Sequence, residues 1–343
     1  MSSYIPHGQS GLFDEFFNSE DIRTSQKPLI RIGAMIEWDL FKGDLERSFP
    51  LSDEGGRPRF APLLMFKILV LQKVHGLLDD ETSFQIMDRR SFKLFLGMTD
   101  QDQVPDGQTI ADFRNALVAQ KMFERLFKKF LDHLQKKHGF KFCKQGTIID
   151  ATFVEVPISR NTKEENDLIK AGTPSKSILS NPQKDKDARW TKKNHESFFG
   201  YKNHIKVDAK TKVILSSMTT PAQVHDSQAF KTLAKSSDKK VFADSAYTGP
   251  EIEAHIKKCK LEAWICEKGT RVKKITKSQK KSNRKISKTR CRVEHVFAQI
   301  KGCMKGLYQR CIGFERNEGN IHLTNLVYNL LRFEQIFRLN LSR

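Results

Sequence analysis

The sequence predicts an α/β protein in which a mixed sheet flanked by helices follows an all-α, helix-turn-helix-like N-terminal domain. Apolar residues recur with helical spacing across 51–138, between Gly-containing turns. Strand-like and helical patterns then follow in the order β–β–β–α–β–α–β–α, which is typical of a mixed sheet with helices on its faces. We therefore predict an N-terminal arm at 1–50, a helical DNA-binding domain at 51–140, and an α/β domain at 141–338 with a polar loop at 158–197.

The N-terminal 138 residues contain an arm and several short helices. Residues 1–50 mix aromatic and polar residues without a period, and we interpret them as an arm that docks on the body or on a second subunit. Pro62 and Gly76 predict the two ends of one helix, and Gly97 the end of a second that starts near Asp79. A third helical pattern runs across 110–134, with a break near Gln120. A helix-turn-helix DNA reader and a plain helical bundle both fit this pattern.

The α/β part begins with the β-branched strand at 147–149 and ends with an apolar helix at 319–338. Segments 198–208 and 213–220 predict a hairpin. The polar stretch at 158–197 has too few apolar residues to fold alone, so we expect a loop or arm that orders on DNA. Trp190, its single aromatic, could stack on a base or pack on the core.

The charge of the chain indicates a polyanionic partner. Its 343 residues carry a formal net charge of +20, and 38% of them are hydrophobic, which is enough for a large core. From Lys268 to Lys305 the only acidic residue is Glu294, within a run of lysines and arginines. A solvated basic face is the simpler explanation of such a run, but its concentration around one acid favours nucleic acid.

The spacing of the cysteines and the length of the apolar segments indicate where in the cell the protein is located. The six cysteines show neither CxxC pairs nor the spacing of a disulfide framework, so we expect reduced thiols. The N-terminus lacks a signal-peptide pattern, and no stretch approaches the roughly 18 apolar residues of a membrane span. We therefore expect a soluble intracellular protein without a membrane partner.

Three acidic residues stand where an acid is costly or isolated. Asp150 interrupts a buried strand, Asp244 ends another strand, and Glu294 lies in the basic helix. Carboxylates that converge from such elements can hold two divalent ions for phosphodiester chemistry, and their hard oxygens favour Mg²⁺ or Mn²⁺. We predict that these three residues form one metal site, although a chain with 40 acids offers many other triplets.

Other polar residues have simpler interpretations. Asp208 lies at a hairpin turn, where Asp forms local hydrogen bonds. Asp226 or Ser227 is expected to cap a helix. His225 is more typical of a loop or core histidine than of an active-site contact. Glu155 follows Asp150 by five residues on the same strand, so its side chain should point to the opposite face.

Several motifs together are specific. They are Arg57-Pro-Arg-Phe with Val104-Pro-Asp-Gly-Gln-Thr109, Ile149-Asp-Ala-Thr, Asp187-Ala-Arg-Trp-Thr-Lys-Lys, Phe199-Gly-Tyr-Lys-Asn-His204, Ala243-Asp-Ser-Ala-Tyr, and Arg290-x3-Glu294-x6-Lys301. In these motifs the chain resembles the DDE transposases of bacterial insertion sequences, in the group numbered five, which are related to eukaryotic Harbinger-type transposases. The resemblance extends from about Arg57 to Leu331.

The resemblance implies an RNase H-like catalytic domain whose metal ligands are Asp150, Asp244 and Glu294. It also implies that Arg290 and Lys301 contact DNA-end phosphates. The surrounding basic residues and the N-terminal arginines are further candidates for DNA contacts. This set comprises Arg284, Lys285, Lys288, Arg292, Arg57, Arg59, Arg114 and Trp190.

One position departs from the family pattern. The related signature has Tyr three residues before the Arg, where this chain has Ser287. That aromatic is associated with handling a flipped base in relatives that form hairpins, so the substitution puts a hairpin intermediate in doubt.

The expected function is a DNA transposase that cleaves at terminal inverted repeats and joins the 3′-OH to target DNA, using two Mg²⁺ or Mn²⁺ ions. Expected partners are double-stranded DNA and a second copy of the chain in a synaptic homodimer, with no small-molecule cofactor. Two alternatives are an RNase H-like endonuclease without strand joining and a non-catalytic, transposase-derived DNA-binding protein.

Overall fold

The computed structural model describes residues 27–50, 58–158, 160–172, 183–193, 195–269 and 274–341. Phe13, Phe16 and Phe17 of the predicted arm and the candidate Arg57 lie outside these residues. The described chain falls into two compact units, and each is treated by itself.

The first unit is helical and comprises the described part of 1–138 with residues 303–305 and 323–341. Its described residues before 139 form the helices α1 (Pro28–Met35), α2 (Asp39–Ser48), α3 (Pro62–His75), α4 (Asp79–Asp88), α5 (Arg90–Leu96), α6 (Gly107–Ala119) and α7 (Met122–Lys136). Aromatic rings fill its core: Phe41 lies 5.1 Å from Phe66, and Trp38 lies 5.6 Å from Phe95. The described part of the predicted arm thus packs into this core instead of projecting from it.

Several predicted helix ends in this unit are confirmed. Pro62 lies in the first turn of α3, and Gly76 ends that helix in the left-handed conformation, with φ of 61°. The break near Gln120 is also confirmed, because Lys121 has φ of 51° between α6 and α7. The prediction of one continuous helix up to Leu96 is wrong: Arg89 is extended and separates α4 from α5.

The second unit is built on a six-stranded mixed sheet. The strands are β1 (Thr147–Glu155), β2 (Arg189–Lys193), β3 (Glu196–Asp208), β4 (Ile214–Pro221), β5 (Lys240–Ala243) and β6 (Glu262–Ile265). Strand β3 pairs antiparallel with β1, β2 and β4, whereas β5 pairs parallel with both β1 and β6. The predicted hairpin is therefore confirmed as β3–β4.

Among the described residues, helices precede and follow the strands along the chain. They are α8 (Lys163–Lys170), α9 (Ser227–Leu233), α10 (Pro250–Cys259), α11 (Lys277–Arg290), α12 (Arg292–Gly302) and α13 (Phe314–Arg338). Only residues 314–322 of α13 are grouped with this unit. No helix among the described residues combines the length and the apolar character that a bilayer span requires.

The described parts of the polar segment 158–197 contain more regular structure than predicted. Its Thr162 and Glu165 cap the start of α8 reciprocally, and β2 adds a strand beside β3. The Asp185 carboxylate accepts hydrogen bonds from the Tyr201 hydroxyl at 2.7 Å and the Gly313 N–H at 3.0 Å. Composition did not predict this, because one buried carboxylate with long-range partners anchors the segment.

Gly200 explains how β1 and β3 approach each other so closely. Its φ is 146°, and a Cβ atom there would lie 2.3 Å from the Val154 carbonyl oxygen. Only glycine fits this position without moving one of the two strands.

Candidate active site

Asp150 lies on β1, where the alternation of side chains sends neighbouring residues to opposite faces of the sheet. Ile149 packs in an apolar cluster with Phe230 and Tyr247. The Asp150 carboxylate accepts hydrogen bonds from the Ala151 N–H at 2.9 Å and from Arg290 Nη1 at 2.8 Å. The strand thus buries one side chain in the core and presents the next to a cationic partner.

Arg290 bridges two of the three predicted acids. It is the last residue of α11, and its Nη2 donates to Glu294 Oε1 at 3.1 Å while Nη1 donates to Asp150. Burial lowers the pKa of Arg290, but the carboxylates of Asp150, Glu294 and Asp244 outweigh burial and raise it above its usual value. A short break at Cys291 lets α12 start with Glu294 in its first turn.

Asp244 directly follows β5 beside β1. The parallel register pairs Thr147 with Val241 and Ile148 with Phe242. Continued by two residues, this register places Asp150 and Asp244 level with each other on neighbouring strands. The Asp244 carboxylate accepts the Ala246 N–H at 2.8 Å, and its charge contributes to the electrostatics of both Asp150 and Arg290.

The environment of Asp150 resists a negative charge. Burial raises its pKa to about 6 and the charge of Asp244 adds to this effect, against the opposing hydrogen bond from Ala151 and the charges of Arg290 and Lys193. A divalent cation would relieve the cost of ionising this carboxyl. Three carboxylates form the donor set that Mg²⁺ or Mn²⁺ prefers, so these residues fit such an ion.

The three carboxylates are near one another but do not form a compact cluster. Within the part of the chain that the structure describes, their oxygens do not all lie within 4.8 Å of one another. Arg290 lies between Asp150 and Glu294, and the Glu294 side chain is 61% exposed. Rotation of the exposed Glu294 side chain is the simplest way to bring its oxygens closer to the other two acids.

Because the pKa of Asp150 is raised, we expect that removing its charge stabilises the protein, and that the size of this effect depends on pH. Its folded-state pKa of about 6 lies above the ordinary value of 3.8, so its contribution to stability is fully present below about pH 4 and is lost as pH rises through 6. In EDTA, Asp150→Asn should therefore raise the free energy of unfolding by about 2–3 kcal/mol at pH 8 and by little at pH 4. Urea titrations of both proteins at the two pH values test this.

Glu155→Gln is the matched control, because Glu155 is an exposed acid at the end of the same strand. It should leave the stability nearly unchanged at either pH. An Asp150→Asn variant that shows the same stability difference at both pH values would contradict the assigned environment.

Tyr247 is a residue of the site that sequence reasoning did not single out, although it ends the motif around Asp244. Its side chain is fully buried, and its hydroxyl has no hydrogen-bond partner among the residues that the structure describes. Burial raises its pKa far above the usual value, and the charges of Asp150, Asp226 and Asp244 add to this. A neutral phenol among three carboxylates can donate a hydrogen bond to one of them or to a bound phosphate.

The prediction that the Asp226 side chain caps a helix is wrong. Asp226 occupies the N-cap position of α9, but its carboxylate makes no capping hydrogen bond. Its Oδ1 instead accepts from Lys202 Nζ at 2.8 Å, and the same Nζ donates to the Val224 carbonyl at 2.7 Å. The cap failed because the buried Lys202 on β3 takes this carboxylate.

The remaining polar candidates take local roles. Asp208 accepts hydrogen bonds from Cys143 N–H at 2.8 Å and from Thr211 N–H at 2.7 Å, which confirms its turn assignment. His225 is exposed, and its Nδ1 lies 2.8 Å from Ser227 Oγ. Buried His204 was not singled out individually; its Nε2 lies 2.8 Å from Thr220 Oγ1, and burial lowers its pKa to about 4.

The predicted basic contacts cluster on α11. This helix contains no acidic residue, and a single buried residue, Ile286, anchors it. The candidates Arg284, Lys285 and Lys288 are all exposed along it, and Arg290 ends it at the carboxylates. Positively charged side chains therefore run along the exposed side of α11 toward the three acids.

The other candidate DNA contacts of this unit lie outside α11, whereas Ser287, which departs from the family pattern, lies on it. Arg292 Nη1 donates to the Ala209 carbonyl at 2.6 Å. Lys301 is exposed in the last turn of α12, and Ser287 is exposed on α11. Trp190 is 48% exposed with its ring 5.1 Å from Phe199, so it packs on one face and leaves the other available.

The two described candidates of the helical unit differ from each other. Arg59 is exposed and lines a cavity of about 500 Å³ with Phe60 and Phe113. Arg114 instead makes a bidentate ion pair with Asp79, with N–O distances of 2.6 and 2.7 Å, and its side chain is 12% exposed. This pair ties α6 to the start of α4.

Arg114→Met should therefore act on stability. Loss of charge-assisted hydrogen bonds to a half-buried carboxylate should lower the free energy of unfolding by about 1.5–3 kcal/mol. Urea denaturation measures this, and the salt dependence of DNA binding should stay unchanged because no phosphate contact is lost. Arg59→Met is the control, with the opposite pattern expected; a reduced salt slope for Arg114→Met at unchanged stability would contradict the structural role.

Comparison with known proteins gives two family matches. A model described as a transposase DDE domain matches residues 141–330, which is more than half of the chain, and a model described as a transposase domain matches residues 17–116. Among solved structures, a piggyBac transposase in a synaptic complex with hairpin DNA is similar at a TM-score of 0.42 and 11% identity. That match covers 93% of this chain and 77% of the other.

Proposed function

The chain belongs to the family of transposases with a DDE domain, and on this premise we propose that it cleaves DNA at the terminal inverted repeats of its own element and joins the freed 3′-OH to target DNA. The observation that carries the proposal is the bridge of Arg290 between Asp150 and Glu294, beside Asp244 at the end of the neighbouring strand. A mixed sheet with acids from two adjacent parallel strands and a helix fits an RNase H-like catalytic domain.

Asp150, Asp244 and Glu294 would hold two Mg²⁺ or Mn²⁺ ions, which when bound supply activation of the attacking oxygen and stabilisation of the leaving oxygen. In the first reaction, water attacks the phosphodiester at the element end, and the bond to the 3′ oxygen breaks. In the second, this 3′-OH attacks a target phosphodiester in line. Each step exchanges one P–O bond for another, so no covalent enzyme intermediate is required.

Arg290 orients the acids before DNA arrives. It donates one hydrogen bond to Asp150 and another to Glu294, and this holds two carboxylates of different elements toward one point. An arginine also pairs with phosphate in bidentate fashion. Exchange of its partner from a carboxylate to a DNA phosphate would free Asp150 for metal at the moment of binding.

The exposed side of α11 is the proposed DNA surface near the scissile bond. Lysines and arginines on it would neutralise several phosphates, so affinity should fall steeply with salt. We assign Lys301 on α12 to the same role.

In the helical unit, we propose that the short helices act as a helix-turn-helix reader of the repeats, with Arg59 contacting phosphate. We also propose that two copies of the chain join in the synaptic complex.

The deciding experiment uses a supercoiled plasmid carrying the gene with its native flanks. Purified full-length protein is incubated with Mg²⁺ or with EDTA, and cleavage sites are mapped at nucleotide resolution. Cuts that require Mg²⁺ and map to inverted repeats in the flanks are the expected result. Joined products with target DNA would establish strand transfer.

Two other outcomes would select the rival functions. Cuts scattered over the plasmid, without joined products, would favour an RNase H-like endonuclease. Binding to the flanks without any cut, in Mg²⁺ and in Mn²⁺, would favour a transposase-derived DNA-binding protein.

A further inference from the structure

We propose that Glu37, His133 and His138 form a second metal site, for Zn²⁺ or a similar borderline divalent cation, in the helical unit. One ligand atom from each residue lies within 4.8 Å of the other two. Among the described residues, no other triplet of His, Cys, Asp and Glu meets this distance. The site is separate from the catalytic acids in both sequence and ligand type.

Two structural elements bring the three side chains together. His133 lies in the last turn of α7, and the chain passes Lys137 before His138 directs its ring back toward the helix. Their Nε2 atoms face each other at 3.3 Å. Glu37 comes from the link between α1 and α2, and its Oε1 lies 3.9 Å from His133 Nε2.

The separation of the two ring nitrogens matches a shared tetrahedral ion. With Zn–N bonds of about 2.0–2.1 Å, two ligand nitrogens at a tetrahedral angle lie ~3.3 Å apart. The observed Nε2–Nε2 distance is 3.3 Å, so the spacing of the two nitrogens already suits a shared ion. The Glu37 oxygen needs to approach by about half an ångström, which rotation of an exposed carboxylate provides.

Hydrogen-bond chemistry leaves room for a cation. Two Nε2 atoms at this distance can share only one proton, since one ring must accept when the other donates. A metal ion replaces that proton and engages both lone pairs. Two imidazoles and one carboxylate are the donor set of borderline divalent metals, whereas Mg²⁺ prefers oxygen ligands throughout.

The surroundings hold the two rings while leaving one side open. The His138 ring lies 4.8 Å from Phe333 and 5.5 Å from Phe337, in edge-on contacts that restrict its rotation. The His133 side chain is 13% exposed, and that of Glu37 is 44% exposed. A water molecule can therefore complete a four-coordinate site from the solvent side.

Lys137 provides a sharp test of the arrangement. Its Nζ donates to the other Glu37 oxygen, Oε2, at 2.6 Å. This charge holds the carboxylate in place but repels a cation bound to Oε1. Lys137→Gln should therefore raise the affinity for zinc, whereas removal of any ligand should lower it.

The ion would join the α1–α2 link to the end of α7, which are about 100 residues apart in sequence. A metal that binds only the folded state stabilises it by mass action. We therefore expect Zn²⁺ to raise the melting temperature of the protein without being needed for cleavage.

The experiment titrates EDTA-treated, dialysed full-length protein with ZnCl₂ in excess Mg²⁺, by calorimetry and by thermal melting. Asp244→Asn serves as the background, so that zinc at the catalytic acids does not contribute. In this background, His133→Ala and His138→Ala should each weaken binding by about 100-fold or more, a greater loss than removal of an outer partner causes. His225→Ala, which removes an exposed histidine elsewhere, should change nothing.

Co²⁺ absorption supplies a second readout on the same proteins. The intense visible absorption bands of four-coordinate Co²⁺ should appear in the Asp244→Asn parent protein and in its Lys137→Gln variant. They should be absent in its His133→Ala variant. Circular dichroism of the metal-free variants identifies any that fail to fold, and Glu37→Gln then replaces them as the ligand test. Absence of one-to-one zinc binding, or equal zinc affinity of the parent and the folded ligand variants, would overturn the proposal.

Discussion

Replacing Asp150, Asp244 or Glu294 with its amide is expected to reduce DNA cleavage on the order of 10⁴-fold, as does loss of an acidic member of other catalytic constellations. Amides keep the shape of the side chain but lose the charge that a divalent ion needs. The expected measurement is single-turnover cleavage of an end-labelled duplex carrying the terminal repeat. DNA affinity, measured by gel shift at fixed salt, should remain within a few-fold because basic residues carry the phosphate contacts.

Two controls sharpen this result. Glu155→Gln removes an acid from the other face of the strand that carries Asp150 and should retain cleavage. Asp150→Asn also frees Arg290 from one partner, so its DNA affinity should rise slightly where that of Asp244→Asn does not. Full cleavage by any one purified amide variant would remove that residue from the site and leave the other two assignments standing.

Breaking the buried ion pair between Lys206 and Asp238 is expected to give a large loss of stability. Lys206 Nζ lies 3.0 Å from one Asp238 oxygen and 3.2 Å from the other, and the two side chains are 9% and 1% exposed. Lys206→Met leaves a buried carboxylate that still accepts a hydrogen bond from the Lys235 N–H. The expected cost is about 3–5 kcal/mol in the free energy of unfolding, measured with urea.

The exposed pair of Lys231 and Glu251 is the matched control. Its N–O distance is 2.6 Å, but the side chains are 47% and 73% exposed, so Lys231→Met should cost about 1 kcal/mol or less. The double variant Lys206→Met, Asp238→Leu removes both buried charges and should recover much of the loss. If Lys206→Met and Lys231→Met lowered the free energy of unfolding equally, the Asp238 carboxylate would not be buried away from water as the structure describes.

Local sequence signals predicted the elements that surround the candidate site. The β-branched run before Asp150 became β1, and the short apolar run before Asp244 became β5. Pro62 and Gly76 fixed the ends of α3 because each imposes its own backbone angle. These signals depend on one residue and its immediate neighbours, so they require no distant partner.

Where the predictions failed, a distant side chain had decided the outcome. Asp226 reads as a helix cap, but Lys202 from β3 takes its carboxylate. The polar segment reads as a loop, but Asp185 binds Tyr201 and Gly313 and orders part of it. Arg114 stays an untested candidate for a phosphate contact, and its ion pair with Asp79 from another helix favours a structural role.

By itself the sequence determined the mixed α/β class of the fold and the positive character of α11, because periodicity and charge are properties of short stretches. It also predicted the three acids, and that assignment stays a prediction. Only the tertiary structure decided that Arg290 joins Asp150 to Glu294, that Tyr247 lies among the acids, and that Glu37 meets His133 and His138. Contacts of this kind, between residues far apart in sequence, depend on strand register and on where helices end. A one-residue change in either moves a side chain to another face, and no local pattern encodes it.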